Sequence, residues 1–493
     1  MTLPTFSLDT PRCGSESLHS GHNFREVAPE LLSPMTWSVV GAGMERGFRD
    51  AAAFFGREQV KRARPHFVSY LGFRPFFNMT TVERLADELP VVDPADIWEL
   101  LLGGPGPMIQ RSPRPGRFHR ARRLSGGLAF LRDNARAFEK ASCALARAEQ
   151  STLTAMGSGS VWQLGSACDD AVRAGRLAWA LHIRTTCVAF VASAVAKETF
   201  GLRYDEATSF QLLRACAHRS HEKGGSIEVG PLDEHTDRIN NYEVADRTEA
   251  FAPFTSRSLS AAASMLNQAP PRAPGDEMAV DVPYGTAMGP VFDAAVDFMG
   301  LALGERERSK GIGLRALHCI RLLLDQEAFG VEAETAALLG VDELRGLAPQ
   351  DARKLAAART QELREAAQVG YPVDISYTAR GVAALRRPVP RDGHGRGLAG
   401  GWATGVLSQE SDGEPGIILV GDRVDGNYVL AVLPDGVVTR YGSVLSHVAI
   451  VCRELGIPLL AGVDVPEVQL GRRATLDGWA GTLDLAGQRE SPR

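Results

Sequence analysis

The stretch RYGSVLSHVAIVCRELGIPLLAG, at residues 440–462, is the most informative part of the chain. Ser446 is a residue type that caps helices, and the apolar run after it predicts a helix body over 448–455. Gly456 suits the left-handed position that follows a helix, and Pro458 stops the helix from continuing. The pattern therefore predicts a short, capped helix that begins beside His447.

The predicted position of His447 has chemical consequences. A helix start is the positive end of the helix dipole and carries backbone N–H groups without partners in the helix. That environment disfavours imidazolium, so the ring stays neutral and nucleophilic near pH 7. It also favours an anion, such as a phosphoryl group carried on the ring. Taken alone, a Ser-His pair at a helix start more often has no chemical role, since both residue types are common there.

The residues around His447 resemble a longer signature. The matching positions are Gly442, Ser446, His447, Ala449, Arg453, Glu454, Gly456, Pro458 and Gly462. Their fixed spacing resembles the phosphohistidine signature of the swivelling domain in phosphoenolpyruvate-utilising enzymes, a family that includes pyruvate phosphate dikinase, phosphoenolpyruvate synthase and rifampicin phosphotransferase. The resemblance implies that His447 carries a phosphoryl group. It extends to GLAGGWATGVL at 397–407, which resembles a glycine-rich strand turn, and to EPGIILV at 414–420, which resembles a strand of that domain.

The segments before residue 385 resemble the same family more weakly. They are HNFREVAPELLSPMTWS at 22–38, GFRPFFNMT at 72–80, AHRSHEKGGSIEVGPLDE at 217–234, the Arg306-Glu307 pair and GVDELRGL at 340–347. In rifampicin phosphotransferase and its relatives, this region follows the ATP-grasp domain and cradles the phosphoryl acceptor. The resemblance therefore implies an acceptor-binding body.

The composition is that of a globular protein. The chain has 493 residues, of which 44% are hydrophobic and 23% charged, and its net charge of −5 gives no reason to expect nucleic acid as a partner. Its seven cysteines are scattered without a CxxC pair, which indicates neither disulfides nor a zinc site and fits the cytoplasm. The most apolar run, CVAFVASAVA at 187–196, is too short to span a membrane and predicts a buried helix.

The sequence predicts a multidomain protein with a mostly α-helical body and a small α/β swivelling domain. Residues 1–32 are expected to be irregular, 33–385 to form the helical acceptor-binding domain, 386–397 to be a linker, and 398–487 to form the phosphohistidine domain. Helical periodicity predicts helices over 33–56, 80–102, 128–200, 288–329 and 348–369. Short β-rich runs after the linker are IILV, YVLAVL, GVVTR and ATLDG. The Pro- and Gly-rich linker, RRPVPRDGHGRG, is long enough to let a carrier domain travel about 30–40 Å.

No ATP-binding part is expected on this chain. The residues before 33 leave no room for an ATP-grasp domain, those after 462 leave none for a phosphoenolpyruvate-binding barrel of about 250 residues, and there is no GxxxxGKS/T loop. We therefore expect no cofactor or metal on this chain, with ATP and magnesium bound by a separate ATP-grasp protein.

The leading hypothesis is a phosphotransferase subunit. His447 would be the covalent nucleophile, with Ser446 and backbone N–H groups holding phosphoryl oxygens and Arg453 as counter-charge. On the acceptor side, His218 would act as general base, and Arg219 and Arg306 would neutralise developing charge. His218 equally fits a capping or surface histidine, and Arg306 with Glu307 equally fits a structural ion pair.

Two other functions remain open from the sequence. In the first alternative, the phosphoryl group would activate an acceptor for a biosynthetic condensation, which would release free phosphate and a coupled product. In the other, the chain is a non-catalytic relic that binds a partner or ligand. Retention of Ser446, His447 and Arg453 argues against the relic.

Overall fold

The structure is a computed structural model of the chain. It describes residues 2–11, 17–22, 24, 31–55, 66–87, 89, 92, 117–200, 289–327, 329–369, 371–378, 381–384, 393–422, 424, 426–442, 446–463 and 465–485. Within these, side chains are not described over 117–128, 192–200 and 289–304, nor at scattered positions that include Glu307, His447 and Arg453.

The body is mostly helical, as the periodicity predicts. Its helices are α1 (Pro34–Phe55), α2 (Met79–Ala86), α3 (Arg117–Ser158), α4 (Val161–Phe200), α5 (Gly289–Asp325), α6 (Ala333–Ala337), α7 (Val341–Gly346) and α8 (Pro349–Val369). The helices predicted over 33–56, 128–200, 288–329 and 348–369 are thereby confirmed. Of the helix predicted over 80–102, the structure shows α2, and most of the remainder lies outside the described residues.

Helix α4 is the centre of the helical body. It packs against α1, α3 and α5, and the small side chains of Ala171, Ala174 and Ala178 are fully buried there. The apolar run at 187–196 lies inside α4, as predicted. Within the part of the chain that the structure describes, no helix combines the length and apolarity needed to cross a membrane.

The body also contains an antiparallel sheet that the sequence did not predict. Its strands are β1 (Thr2–Leu3), β2 (Ser17–Ser20), β3 (Val68–Leu71), β4 (Arg74–Asn78), β5 (Asp374–Thr378) and β6 (Gly381–Ala384), in the order β1-β6-β5-β2-β4-β3. The prediction that residues 1–32 are irregular is therefore wrong for β1 and β2. These strands are two and four residues long and pair with partners more than 350 positions away, so no local pattern marks them.

A second sheet forms the C-terminal part of the chain. Its strands are β7 (Arg396–Ala399), β8 (Trp402–Ser408), β9 (Ile417–Gly421), β10 (Gly436–Thr439), β11 (Leu459–Ala461), β12 (Arg473–Asp477) and β13 (Thr482–Leu485), in the order β13-β12-β8-β9-β10-β11-β7. Strands β8, β9, β10 and β11 run parallel to one another, whereas β12 pairs antiparallel with β8 and with β13, and β7 pairs antiparallel with β11. Helices α9 (Gly426–Val432) and α10 (His447–Leu455) pack on each other.

Two details of this region differ from the sequence prediction. The run YVLAVL was predicted as β-rich, but α9 occupies it, because adjacent parallel strands β9 and β10 require a crossover connection. The last residues of the predicted linker, 386–397, overlap the C-terminal sheet. The Gly395 N–H already donates to the Gly481 carbonyl at 2.9 Å, and β7 begins at Arg396, so residues 393–397 belong to the C-terminal sheet.

Candidate phosphohistidine site

The start of α10 has the geometry that the sequence predicts. The helix begins at His447, and Ser446 precedes it with only 1% of its surface exposed. The Ala449 N–H donates to Ser446 Oγ at 3.2 Å. Ser446 is therefore the N-cap, and the amides of His447 and Val448 are the remaining N–H groups of the first turn that can face a ligand.

The end of α10 is equally well defined. Gly456 has φ +70°, the left-handed conformation expected of the residue after a helix. The Ile457 N–H donates to the Cys452 carbonyl at 2.8 Å, which closes a Schellman motif. Pro458 follows and leads directly into β11. The predicted cap and stop are both confirmed, so the helix that carries His447 is fixed at each end.

The sheet places His447 at a recognised kind of binding edge. Strands β9, β10 and β11 are parallel neighbours, and α10 connects β10 to β11. His447 thus follows the carboxyl end of β10, the edge at which open α/β sheets bind ligands. Gly442, which precedes His447 by five residues, is tightly packed: an added Cβ would lie 3.2 Å from side-chain atoms of Leu398, Thr439 and Ala461. A larger residue at this position of the signature would need these neighbours to shift by a few tenths of an ångström.

Residues 440 and 441, which follow β10 on the way to His447, are held by the segment at the end of β9. The Arg440 and Tyr441 N–H groups donate to the carbonyls of Gly421 and Asp422 at 3.0 and 3.1 Å. The Arg440 guanidinium also lies 3.3 Å from the Asp422 carboxylate. The two loops at the carboxyl edge therefore support each other, mainly through the backbone, since an exposed ion pair stabilises little.

Tyr441 also contacts the body of the protein. Its ring meets the His22 ring edge to face, with centroids 5.0 Å apart and planes at 65°. His22 and Asp374 are both buried, and His22 Nε2 lies 3.5 Å from Asp374 Oδ2. On the adjacent strand β2, burial lowers the pKa of His19 to about 4, so that imidazole is neutral at neutral pH. No local pattern in the sequence indicates that His22 lies between Asp374 and Tyr441, because His22 and Asp374 are 352 residues apart.

The predicted acceptor-side residues are only partly described. His218 and Arg219 lie outside the described residues, as does the Glu307 side chain. The Arg306 carbonyl, on α5, accepts from Ser309 Oγ at 2.6 Å and lies 3.2 Å from His182 Nδ1. The pKa of the neighbouring Glu305 is raised above its usual value because the carboxyl is partly buried, and the nearby Arg308 offsets only part of this effect. These contacts lie inside the helical body, and the roles assigned to Arg306 and Glu307 stay predictions.

A buried polar cluster near Arg306 was missed by the sequence reasoning. His182, Thr185 and Ser309 are buried, and Ser309 Oγ lies 3.4 Å from both His182 Nδ1 and Thr185 Oγ1. A sign of this cluster in the sequence is HIRTT at 182–186, a mostly polar segment between the apolar runs LAWAL and CVAFVASAVA. Among the residues that the structure describes, no three His, Cys, Asp or Glu side chains are grouped so that they could hold a metal ion.

Comparison with known proteins identifies the C-terminal region. Residues 413–481 match the family model described as "PEP-utilising enzyme, mobile domain". The match covers β9 through β12, ends at the turn before β13, and includes Ser446 and His447. No curated protein matches the chain. The chain therefore carries the mobile domain of the phosphoenolpyruvate-utilising enzymes, as the signature around His447 indicated.

Removal of the N-cap should loosen the helix that bears His447. In a Ser446→Ala variant the Ala449 N–H loses its acceptor, which costs about 1 kcal/mol of helix stability. We expect the Ala449 amide to exchange its hydrogen about fivefold faster, measured by hydrogen exchange of the full chain. Ser446→Thr, which keeps the oxygen, is the control and should stay within about twofold of the native rate. An Ala449 amide that exchanges equally slowly in Ser446→Ala and in the native chain would contradict the assignment of Ser446 as the N-cap.

Proposed function

We propose that this chain is a phosphotransferase subunit in which His447 carries a phosphoryl group to a small-molecule acceptor. The observation that supports this best is the start of α10: a buried Ser446 cap with His447 as the first helical residue, inside a matched mobile domain. The donor would be ATP, bound with magnesium by a separate ATP-grasp protein. The helical body would bind the acceptor.

The chemistry consists of two displacements at phosphorus. In the first, a neutral ring nitrogen of His447 attacks the phosphoryl group of the nucleotide. The N–P bond forms as the O–P bond breaks, and the nucleotide leaves with the electron pair. In the second, an acceptor oxygen attacks the same phosphorus, the N–P bond breaks, and the electron pair returns to the ring while the acceptor proton passes to a base. The amides at the start of α10 would stabilise the phosphoryl oxygens in both steps.

The positions of Ser446 and Arg453 on α10 limit the roles proposed for them. Ser446 Oγ accepts from the Ala449 N–H, so only its hydroxyl proton is left to donate to a phosphoryl oxygen. Arg453 lies about 9 Å along the axis of α10 from His447 and about 240° around it. Its proposed counter-charge role is therefore better suited to an anion on the donor or the acceptor than to the ring of His447 itself.

The proposal requires the mobile domain to visit two sites, and the contact of Tyr441 with His22 supports one of them. Tyr441 belongs to the loop that leads into His447, and His22 and Asp374 belong to the body. We propose that this contact marks the delivery position, in which the carrier faces the acceptor-binding body. The loading position would lie against the ATP-grasp partner, reached by movement about the linker before residue 393.

Removal of the Tyr441 ring should weaken the delivery position. An edge-to-face contact contributes about 0.5–1.5 kcal/mol, so Tyr441→Ala should shift the ratio of open to docked molecules about two- to twelvefold. The measurement is the distance distribution between nitroxide labels on the exposed Cys143 and on Val468→Cys, with Cys13 and Cys216 replaced by serine.

The control for this measurement is Trp402→Ala, which removes an exposed aromatic ring from the same region. We expect one narrow distribution for the native pair and the control, and a broad or divided one for Tyr441→Ala. A distribution unchanged by Tyr441→Ala would contradict the docking role of this contact.

The experiment that tests the proposed function is a phosphoryl-transfer assay. The chain is incubated with a candidate ATP-grasp partner, magnesium and ATP labelled at each phosphorus position in turn. We expect an acid-labile, base-stable label on this chain, as a phosphohistidine requires. Absence of label with every partner encoded near this chain would contradict the carrier role. Product analysis then separates a stable phosphate ester from free phosphate with a coupled product, which would favour the condensation.

A further inference from the structure

A cleft in the helical body combines an apolar wall with a group of charged side chains. It has a volume of about 330 Å³ and lies between α1, α3 and α4. One part of its lining is apolar, consisting of Ala53, Phe54, Ala137, Leu177, Ala180 and Leu181. The other part is charged, consisting of Arg46, Asp50, Asp133, Arg136, Lys140 and Arg184. The volume is at the lower end of the range for small-molecule sites.

The charges in the cleft do not cancel. Four cations face two carboxylates, and both carboxylates are already engaged. Asp133 Oδ2 accepts from Arg184 Nη2 at 2.7 Å. Asp50 Oδ2 lies 3.7 Å from Arg184 Nη1 and 3.9 Å from Arg46 Nε. The cleft therefore has an excess of two positive charges, which favours an anion.

Arg184 is held in place before any ligand arrives. It is 6% exposed, its Nε donates to Asn134 Oδ1 at 2.7 Å, and its guanidinium lies 5.5 and 5.0 Å from the ring centroids of Phe54 and Phe130. Within the described part of the chain, no acceptor lies within hydrogen-bond distance of Nη1, since Asp50 is 3.7 Å away. Arg184 thus presents a rigid, buried cation with donors that remain unused there.

Two further cations stand at the rim of the cleft. Arg136 and Lys140 are one helical turn apart on α3, and both are exposed. Neither makes a hydrogen bond or an ion pair with any residue that the structure describes. Because both side chains line the same cleft as Arg184, three cationic groups converge beside an apolar wall.

From this arrangement we propose that the cleft binds an amphiphilic organic anion, a carboxylate or phosphate attached to an apolar body. The anionic group would lie between Arg184, Arg136 and Lys140, and the apolar part against Phe54, Leu177 and Leu181. Resting on the proposed function, the inference assigns this cleft as the acceptor site and the acceptor as an amphiphilic acid. It places recognition on α1, α3 and α4 rather than on the predicted residues His218 and Arg219.

The test is calorimetric titration of the full chain with octanoate, and with octan-1-ol as the neutral probe of the same length. We expect octanoate to bind the native chain. Arg136→Gln/Lys140→Gln should weaken it about tenfold, which corresponds to about 1.4 kcal/mol. Octan-1-ol should bind about tenfold more weakly than octanoate, or not at all.

The matched control is Arg132→Gln/Arg147→Gln, which removes two exposed cations from the same helix outside the cleft. It should bind octanoate within about twofold of the native chain, and circular dichroism checks that both double variants are folded. No octanoate binding to the native chain, or equal binding to both double variants, would overturn the inference. Octanoate binding and His447 labelling are separate measurements. Absence of octanoate binding with intact labelling contradicts the cleft and leaves the carrier role standing. Octanoate binding without labelling contradicts the carrier role and leaves the cleft as an anion site that is not an acceptor site.

Discussion

The His447→Asn variant should acquire no acid-labile phosphoryl label from an ATP-grasp partner. Asparagine has a size similar to that of imidazole but no basic nitrogen to form the N–P bond, so labelling should fall about a thousandfold or more. The fold should be kept, because His447 is the first residue of α10 and the cap is made by Ser446. The measurement is the label retained per chain after the same incubation.

The control for this variant is another histidine of the same region. His394 is exposed, and its backbone bridges to Thr482. His394→Asn should label as the native chain does. Equal labelling of His447→Asn and the native chain would contradict the carrier role, whereas a loss of label in both variants would point to damage to the domain rather than to lost chemistry.

Trp179→Ala should be the most destabilising single substitution in the helical body. The indole is fully buried at the centre of α4 and meets the His182 ring with centroids 5.5 Å apart. Helices α1 and α5 approach it at glycines: a Cβ on Gly43 would lie 2.6 Å from Trp179 Cβ, and one on Gly313 would lie 2.9 Å from Cε2. The cavity left by alanine would therefore be lined by backbone that cannot easily collapse into it, and we expect a loss of about 3–5 kcal/mol.

The measurement is urea unfolding followed by circular dichroism. Trp162→Ala is the matched control, because it removes the same side chain from the first turn of α4 at a position that is 80% exposed. Its free energy of unfolding should change by less than about 0.5 kcal/mol. A similar small change for Trp179→Ala would contradict the packing described for the centre of the body.

Local patterns in the sequence predicted the local structure well. Both ends of α10 were predicted from residue types alone, since a serine cap and a left-handed glycine act within a few residues. The long helices followed from apolar periodicity. The run YVLAVL was misinterpreted because a short apolar run has no distinguishing period, and only the parallel pairing of β9 and β10 decides for a helix.

Contacts between distant segments could not be predicted in the same way. Strand β2 pairs with β5 across more than 350 residues, and this pairing brings His22 beside Asp374. The cleft that contains Arg184 likewise needs α1, α3 and α4 to be packed before its charges converge. The proposed nucleophile was therefore selected from the sequence alone, while the proposed docking contact and the proposed acceptor cleft required the fold.

The most direct test of the central claim is the location of the phosphoryl group on the chain. After incubation with an ATP-grasp partner and ATP, trypsin should release the peptide Tyr441–Arg453, which contains Tyr441, Ser443, Ser446 and His447 as possible phosphoryl carriers. Electron-transfer fragmentation at neutral pH assigns the added phosphoryl mass to one residue. The account predicts that it lies on His447. A phosphoryl group on Ser443, Ser446 or another peptide, with His447 unmodified, would contradict it.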